Sequence, residues 1–357
     1  MIQRVPLLAG VIVVAGLLLL PPLVGGPQLA LPTEALIFAI FALTYDLIFG
    51  FTGLISFGQA LFVGGGAYSF TAALTSYHAS LPVAVLVALG VGAGLSFLTG
   101  ALALRTRGVY FAMVTLAFAQ AAYTLTDSGI GNLGGENGLA INGMPSTLEG
   151  PGSETHVYYL ALTSLVVTFL LLRLFVLSPV GRVWQAIREN ERRALMIGYR
   201  PYFYKLLAYV ISGAICSLAG VLYAIYVGTV SINLFSADMT IQLLLMVIIG
   251  GAGSLWGAAV GAALIRYLDY YLGLLPGSNF VNHLPLFLQQ TLAEPLLLFG
   301  IVYLALVFFF PEGVAGLVQR LRLGRTNVRT GLMELEGHLD APLSEGAAAA
   351  DVPGPRS

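Results

Sequence analysis

Residues 178–206 read SPVGRVWQAIRENERRALMIGYRPYFYKL and hold six of the sixteen basic residues of the chain: Arg182, Arg188, Arg192, Arg193, Arg200 and Lys205. A charge at the centre of a membrane helix costs about 2.5–3.5 kcal/mol, so this stretch is excluded from hydrocarbon and reads as an aqueous loop facing the cytoplasm. The apolar runs on either side are then membrane spans. Within the loop, Val183, Ala186, Ile187, Ala194, Leu195 and Ile197 recur between charges at roughly a helical period; Gly181 precedes them and Gly198 is placed to close them. The spacing predicts one short amphipathic helix over 183–197, after which Gly198, Tyr199, Arg200 and Pro201 turn the chain into the next span.

Such a helix has two explanations. It is a solvated connector whose arginines set topology, or it docks on another protein through an apolar, small-residue ridge made by Trp184, Ile187, Ala194 and Gly198. Periodicity alone leaves both open.

Composition supports the membrane reading. Hydrophobic residues make up 58% of the chain and charged residues 9%, with a mean hydropathy of +0.89, as expected of a polytopic membrane protein. A net charge of −1 gives no electrostatic footprint for nucleic acid. Cys216 stands alone in an apolar run, which rules out an intramolecular disulfide or a cysteine metal cluster. His78, His156, His283 and His338 show no ligand spacing, so no metal site, cofactor or catalytic set is expected. The phosphate-loop pattern G-x-x-x-x-G-K-[ST] does not occur, so this chain is not expected to bind and hydrolyse ATP in the usual way.

Residues 1–20 carry only Arg4 before an apolar stretch, and no small-x-small cleavage site follows; they read as a retained first span with a cytoplasmic N-terminus. Further apolar runs lie at 34–50, 56–76, 82–104, 108–127, 157–177, 207–227, 240–252, 254–272 and 292–311. At about 20 residues per span this predicts an all-α, polytopic transmembrane helix bundle of about 8–10 spans. The run 240–252 is short and interrupted by Gly250, Gly251 and Gly253, the pattern of a broken or re-entrant segment. With Arg4 inside, Arg105, Arg107, the 178–206 loop and Arg320, Arg322, Arg325 and Arg329 also fall inside, while 127–156 carries four acids and no Lys or Arg. This positive-inside pattern puts both termini in the cytoplasm. The domain organisation is therefore a membrane domain over 1–318 and a polar cytoplasmic tail over 319–357 that lacks the composition for a core.

Two glycine-serine segments punctuate the bundle: GFTGLISFGQALFVGGGAY (50–68) and GGAGSLWGAAVG (250–261), each with a serine three residues after a glycine, Gly53/Ser56 and Gly251/Ser254. Small residues of this kind either let helices pack closely or break a helix so that its backbone lines a pathway. The candidate pathway residues are Gly53, Ser56, Gly58, Gln59, Thr115, Gly251, Gly253 and Ser254. Among ionisable residues in the spans, which are functional candidates by default, Asp46 is expected near the inner face and solvated. Arg266 and Asp269 form an i,i+3 pair expected to neutralise itself.

Several motifs carry a family resemblance, in order along residues 42–311: the first glycine segment, LRTRGVYFAMVTLAFAQ (104–120), GGENGL (134–139), GRVWQAIRENERRALMIGYRPYFYKLLAYVISGAICSLAGVLYA (181–224) and MVIIGGAGSLWGAAVGAAL (246–264). Together they resemble the permease subunits of branched-chain amino acid ABC importers, the family of paired high-affinity leucine/isoleucine/valine permeases. The resemblance implies a non-enzymatic subunit in the bacterial inner membrane. Its partners are a second homologous permease subunit, two ABC ATPase subunits and a periplasmic or lipid-anchored substrate-binding protein. It also implies that the loop contacts an ATPase through Trp184, Ile187, Arg188, Glu189, Asn190, Ala194 and Gly198. An importer of urea or short amides shares this architecture. An ion-coupled secondary transporter is the rival of a different class, expected to carry conspicuous buried carboxylates, for which Asp46 and Asp269 are thin support.

Overall fold

The computed structural model describes residues 7–129, 134–145, 147–148, 153–274, 300, 303–304, 308 and 313–317. The chain divides after Ala315 into a compact unit and a C-terminal one; everything below concerns the first. Its helices are α1 (Leu7–Leu18), α2 (Leu20–Val24), α3 (Ala30–Asp46), α4 (Gln59–Thr75), α5 (Leu81–Ala103), α6 (Val109–Asp127), α7 (Ser153–Leu177), α8 (Pro179–Glu189), α9 (Glu191–Met196), α10 (Pro201–Val227), α11 (Ala237–Gly250) and α12 (Leu255–Leu274). Two-residue strands β1 (Leu139–Ala140) and β2 (Thr229–Val230) pair antiparallel, Leu139 opposite Val230, and tie the GGENGL loop to the end of α10.

Among the described residues five helices are long and apolar enough to cross a membrane: α3 with the turn that follows it, α5, α6, α7 and α10. The bent pair α11–α12 makes up to six, and the chain is a multi-pass membrane protein. The larger number of runs seen in the sequence has a physical explanation. Helix α4 has 17 residues, α1 has 12 before α2 restarts at a proline pair, and α11 with α12 counts as one broken element, bent by 119°. The run at 292–311 and the tail at 319–357 lie almost wholly outside the described residues.

Helix α3 is the hub. Its most apolar window is 89% buried, against 22% for α5 and 28% for α6 and α7, and it packs against α7, α10, α11 and α12. Helix α10 lies across α4 and α5. These crossings are made by small residues: a Cβ on Gly66 or Gly92 would collide with Ser217, and one on Gly213 with Ser96. Close approach then lets Ser217 Oγ donate to the Ala88 carbonyl at 2.6 Å, a hydrogen bond between helices in place of an unpaired hydroxyl in lipid.

Candidate coupling site and helix breaks

The loop 178–206 is held at a tight corner. Ser178 caps α8 by accepting from the Gly181 N–H at 3.3 Å, and a Cβ at Gly181 would strike the carbonyls of Phe175 and Val176. The single helix expected over 183–197 is two. Asn190 adopts an extended backbone (φ −159°, ψ 101°), ends α8 and accepts from the Arg193 N–H at 3.0 Å to cap α9. Asparagine is a strong N-cap, and Glu191 behind it complements the helix dipole. Gly198, at φ +97°, closes α9 as its placement suggested.

The apolar ridge faces inward. Trp184 is fully buried, packs with Leu43, Leu47, Leu172 and Ala208, and donates from Nε1 to the Tyr204 carbonyl at 2.8 Å. Ile187 and Ala194 are buried with Val183 against Tyr204. These three side chains are therefore occupied within the chain. The elbow exposes Glu189, Asn190 and Gly198, the arginines Arg182, Arg188, Arg192 and Arg193, and an apolar tip formed by Leu195 (60% exposed), Met196 (86%) and Ile197 (70%).

Arg188 makes the contact that orders this region. Its Nη1 donates to the Gly50 carbonyl, and its stem passes Gly53, whose Cβ position lies 3.1 Å from Arg188 Cγ. A Cβ on Gly253 would come within 2.7 Å of Nη1. Gly50 sits in a π-helical turn, Leu47–Phe51, that ends α3; Gly253 sits in the bend between α11 and α12 at φ +85°. The two are joined by Asp46, whose Oδ1 accepts from the Gly253 N–H at 2.7 Å. A Cβ on Gly50 would collide with both Asp46 Oδ1 and the Gly253 nitrogen. Asp46 is therefore wholly buried, not solvated: it bridges the two glycine breaks, and Arg188 reaches the same junction from α8. Gly251, at φ +104°, lies in the same bend, and Ser254 Oγ accepts from the Gly257 N–H at 3.3 Å at the start of α12.

The other pathway candidates form a separate group. Ser56 Oγ accepts from the Gly58 N–H at 3.2 Å, and the Ser56 carbonyl accepts from Tyr45 Oη at 3.0 Å. Thr115 Oγ1 accepts from the Phe57 N–H at 3.0 Å, and a Cβ on Gly58 would press on Thr115. Gln59 Nε2 donates to Ser212 Oγ at 2.9 Å, which donates to the Thr44 carbonyl at 2.7 Å. Ser56, Gly58, Gln59 and Thr115 are buried, so here the small and polar residues seat α4 against α3, α6 and α10. The backbone near Gly53 is exposed and belongs to the Arg188 junction instead.

One partner was not singled out from the sequence. Arg266 pairs with Asp269 at 3.3 Å, as its spacing suggested, but its other nitrogen donates to Glu34 on α3 while the guanidinium lies 4.4 Å from the Phe38 ring centroid. Tyr303 Oη also bonds to Asp269. A lone intramembrane arginine needs such company, and Glu34, at the start of its apolar run, was the signal available.

The profile of the family described as "branched-chain amino acid transport system / permease component" matches residues 29–310, which takes in α3 through α12 and hence both helix breaks and the elbow. The chain belongs to this permease family. The high-affinity branched-chain amino acid transport system permease protein LivM of Salmonella typhimurium is 31% identical over 275 residues, and that of Escherichia coli K12 is 30% identical over 274 residues. In each case the match covers 69% of this permease and 63% of the relative, so it spans less than two thirds of their length. The autoinducer 2 import system permease protein LsrC of an Enterobacter species is 27% identical over 205 residues, 55% of this permease and 57% of that protein. No solved structure matches.

Proposed function

We propose that this permease is the transmembrane subunit of an ABC importer that carries leucine, isoleucine and valine across the bacterial inner membrane, driven by two separate ATPase subunits. The observation that carries the reading is the Arg188 junction: a short elbow outside the spans is fastened to the first helix break at Gly50, which Asp46 joins to the second at Gly253. A push on the elbow is then transmitted to α3 and α11–α12, the kind of rigid-body rocking that opens a pathway alternately to either side. The ATPase would meet the exposed face of the elbow, Glu189, Asn190 and the tip Leu195–Ile197 ending at Gly198, and not Trp184, Ile187 or Ala194, which serve as its seat. A second homologous permease subunit would cover part of the apolar faces of α5–α7, a periplasmic or lipid-anchored binding protein would deliver substrate, and both termini with the 319–357 tail would face the cytoplasm.

The likeness to LsrC favours a second reading, in which the same architecture imports another small polar solute; a urea or amide importer belongs with it. Ion coupling is less supported, since Asp46 is hydrogen-bonded to Gly253 and Asp269 to Arg266 and Tyr303. Uptake of labelled leucine, isoleucine, valine, urea and autoinducer 2 by proteoliposomes holding the complete complex and its binding protein tests this. ATP-dependent leucine uptake competed by valine is expected; uptake of only a non-amino-acid solute overturns the substrate, and uptake driven by a proton or sodium gradient without ATP overturns the class.

A further inference from the structure

The arginines that connect α5 to α6 take no part in the junction above. Arg105 and Arg107 line a cleft of about 710 Å³ together with Arg192 of the elbow and with Tyr202 and Lys205 at the start of α10. Four of its side chains are basic and one, Glu191, is acidic; Glu191 is already paired with Lys205 at 2.8 Å. Among the described residues Arg105, Arg107 and Arg192 have no ion-pair partner, and all three are exposed. The cleft is a built feature: Tyr202 Oη donates to the Ala101 carbonyl at 3.0 Å, and Thr106 Oγ1 to the Ala103 carbonyl at 2.7 Å. Its depth relative to the membrane follows from the helices that end there. Spans α5, α6 and α10 all begin or end at its rim, so it sits at headgroup level. Exposed apolar residues run from it into those spans one turn apart: Leu102 and Leu98 on α5, Val109 and Met113 on α6, and Phe203 and Leu207 on α10.

We infer that this cleft binds the phosphate headgroup of an anionic membrane lipid, with the acyl chains lying on the exposed faces of α5, α6 and α10. Guanidinium groups match phosphate oxygens in a fixed, two-pronged geometry, and basic pockets between helix ends at the cytoplasmic surface suit such headgroups. A wholly protein partner would account for the arginines but not for the apolar strip at hydrocarbon depth that runs on from them. Because Arg192 belongs to α9 and Arg105 to the α5–α6 turn, a bound headgroup would clasp the elbow to the bundle.

The test uses the complete importer complex purified in detergent. Phospholipids retained by the parent and by an Arg105→Gln/Arg107→Gln/Arg192→Gln variant are quantified by mass spectrometry. Thermal stability is followed on adding cardiolipin, phosphatidylcholine or inorganic phosphate. Arg182→Gln, an exposed charge outside the cleft, is the control. Expected are retention of anionic lipid by the parent and the control, stabilisation by cardiolipin alone, and affinity weakened about fivefold per arginine removed. Should the triple variant not assemble, Arg105→Lys/Arg107→Lys, which keeps charge but not the bidentate fork, is expected to bind more weakly than the parent. Equal retention by the triple variant overturns the proposal. So does equal stabilisation by inorganic phosphate, which makes the cleft a free-anion site, or loss of the ATPase with lipid retained, which makes it a protein contact.

Discussion

Arg188 is the residue through which the elbow addresses the bundle, and its neighbours explain why the nearby glycines have no side chains. Gly50 has room for no Cβ beside Asp46 and Gly253; Gly90 and Gly94 on α5 have nothing within 4 Å of theirs. This contrast separates glycines needed for packing from those that are not. Gly50→Ala is expected to destabilise the permease by about 1–3 kcal/mol, as overpacking does, and to abolish uptake, whereas Gly90→Ala and Gly94→Ala should leave uptake unchanged and stability equal or raised by up to about 1 kcal/mol. Arg188→Ala removes a charge-assisted hydrogen bond worth about 1.5–3 kcal/mol. Because the arginine is partly exposed, the lower end is expected in stability, with transport falling further because the link to Gly50 is lost. Uptake at equal expression, with melting temperature measured alongside, reads both. Parent-like transport by Arg188→Ala would mean that the elbow couples through other contacts.

At the scale of the element, the α8–α9 elbow shows what a sequence reveals and what it hides. Its helical period and its closure at Gly198 were legible, because periodicity and a positive-φ glycine act within a few residues of chain. Its division at Asn190 was also written locally, in an asparagine three residues before the backbone N–H it caps. The direction of its apolar face was not legible, since a ridge of Trp184, Ile187 and Ala194 serves equally for a partner or for the chain's own Tyr204 and α3. For the same reason Asp46 read as solvated: its partner Gly253 is 207 residues away. The glycine segments were visible as breaks, but only their packing shows that Gly50 and Gly253 meet while Gly58 and Gln59 seat α4. The inward ridge changes which substitutions probe docking. Met196→Glu with Ile197→Glu is expected to leave the permease folded and its stability within about 0.5 kcal/mol of the parent, as surface changes do, yet to lose the co-purifying ATPase. Ala194→Glu places a charge in a buried site and is expected to unfold the elbow itself. If the double tip variant retains the ATPase and transports normally, the partner binds elsewhere.

At the scale of the whole molecule, the basic residues and the packing make one directional claim. The elbow, the α5–α6 turn and the start of α10 lie together around a single cleft, so they share one side of the membrane, and they hold Arg105, Arg107, Arg192 and Lys205. The β1–β2 pair, which ties residues 139–140 to 229–230, lies beyond the far ends of α6 and α10, and each of these is one span long. The two clusters are therefore expected on opposite sides, and the positive-inside rule predicts that the basic one faces the cytoplasm. Cys216 is completely buried, so replacing it with alanine removes the only native thiol without exposing a surface. In that background Asn142→Cys, exposed beside β1, is expected to react with a membrane-impermeant maleimide in intact spheroplasts. Arg193→Cys, exposed on α9, and Ser344→Cys in the tail should react only after the membrane is opened. Labelling of Arg193→Cys from outside would invert the topology, leaving the elbow on the wrong side of the membrane for any cytoplasmic ATPase.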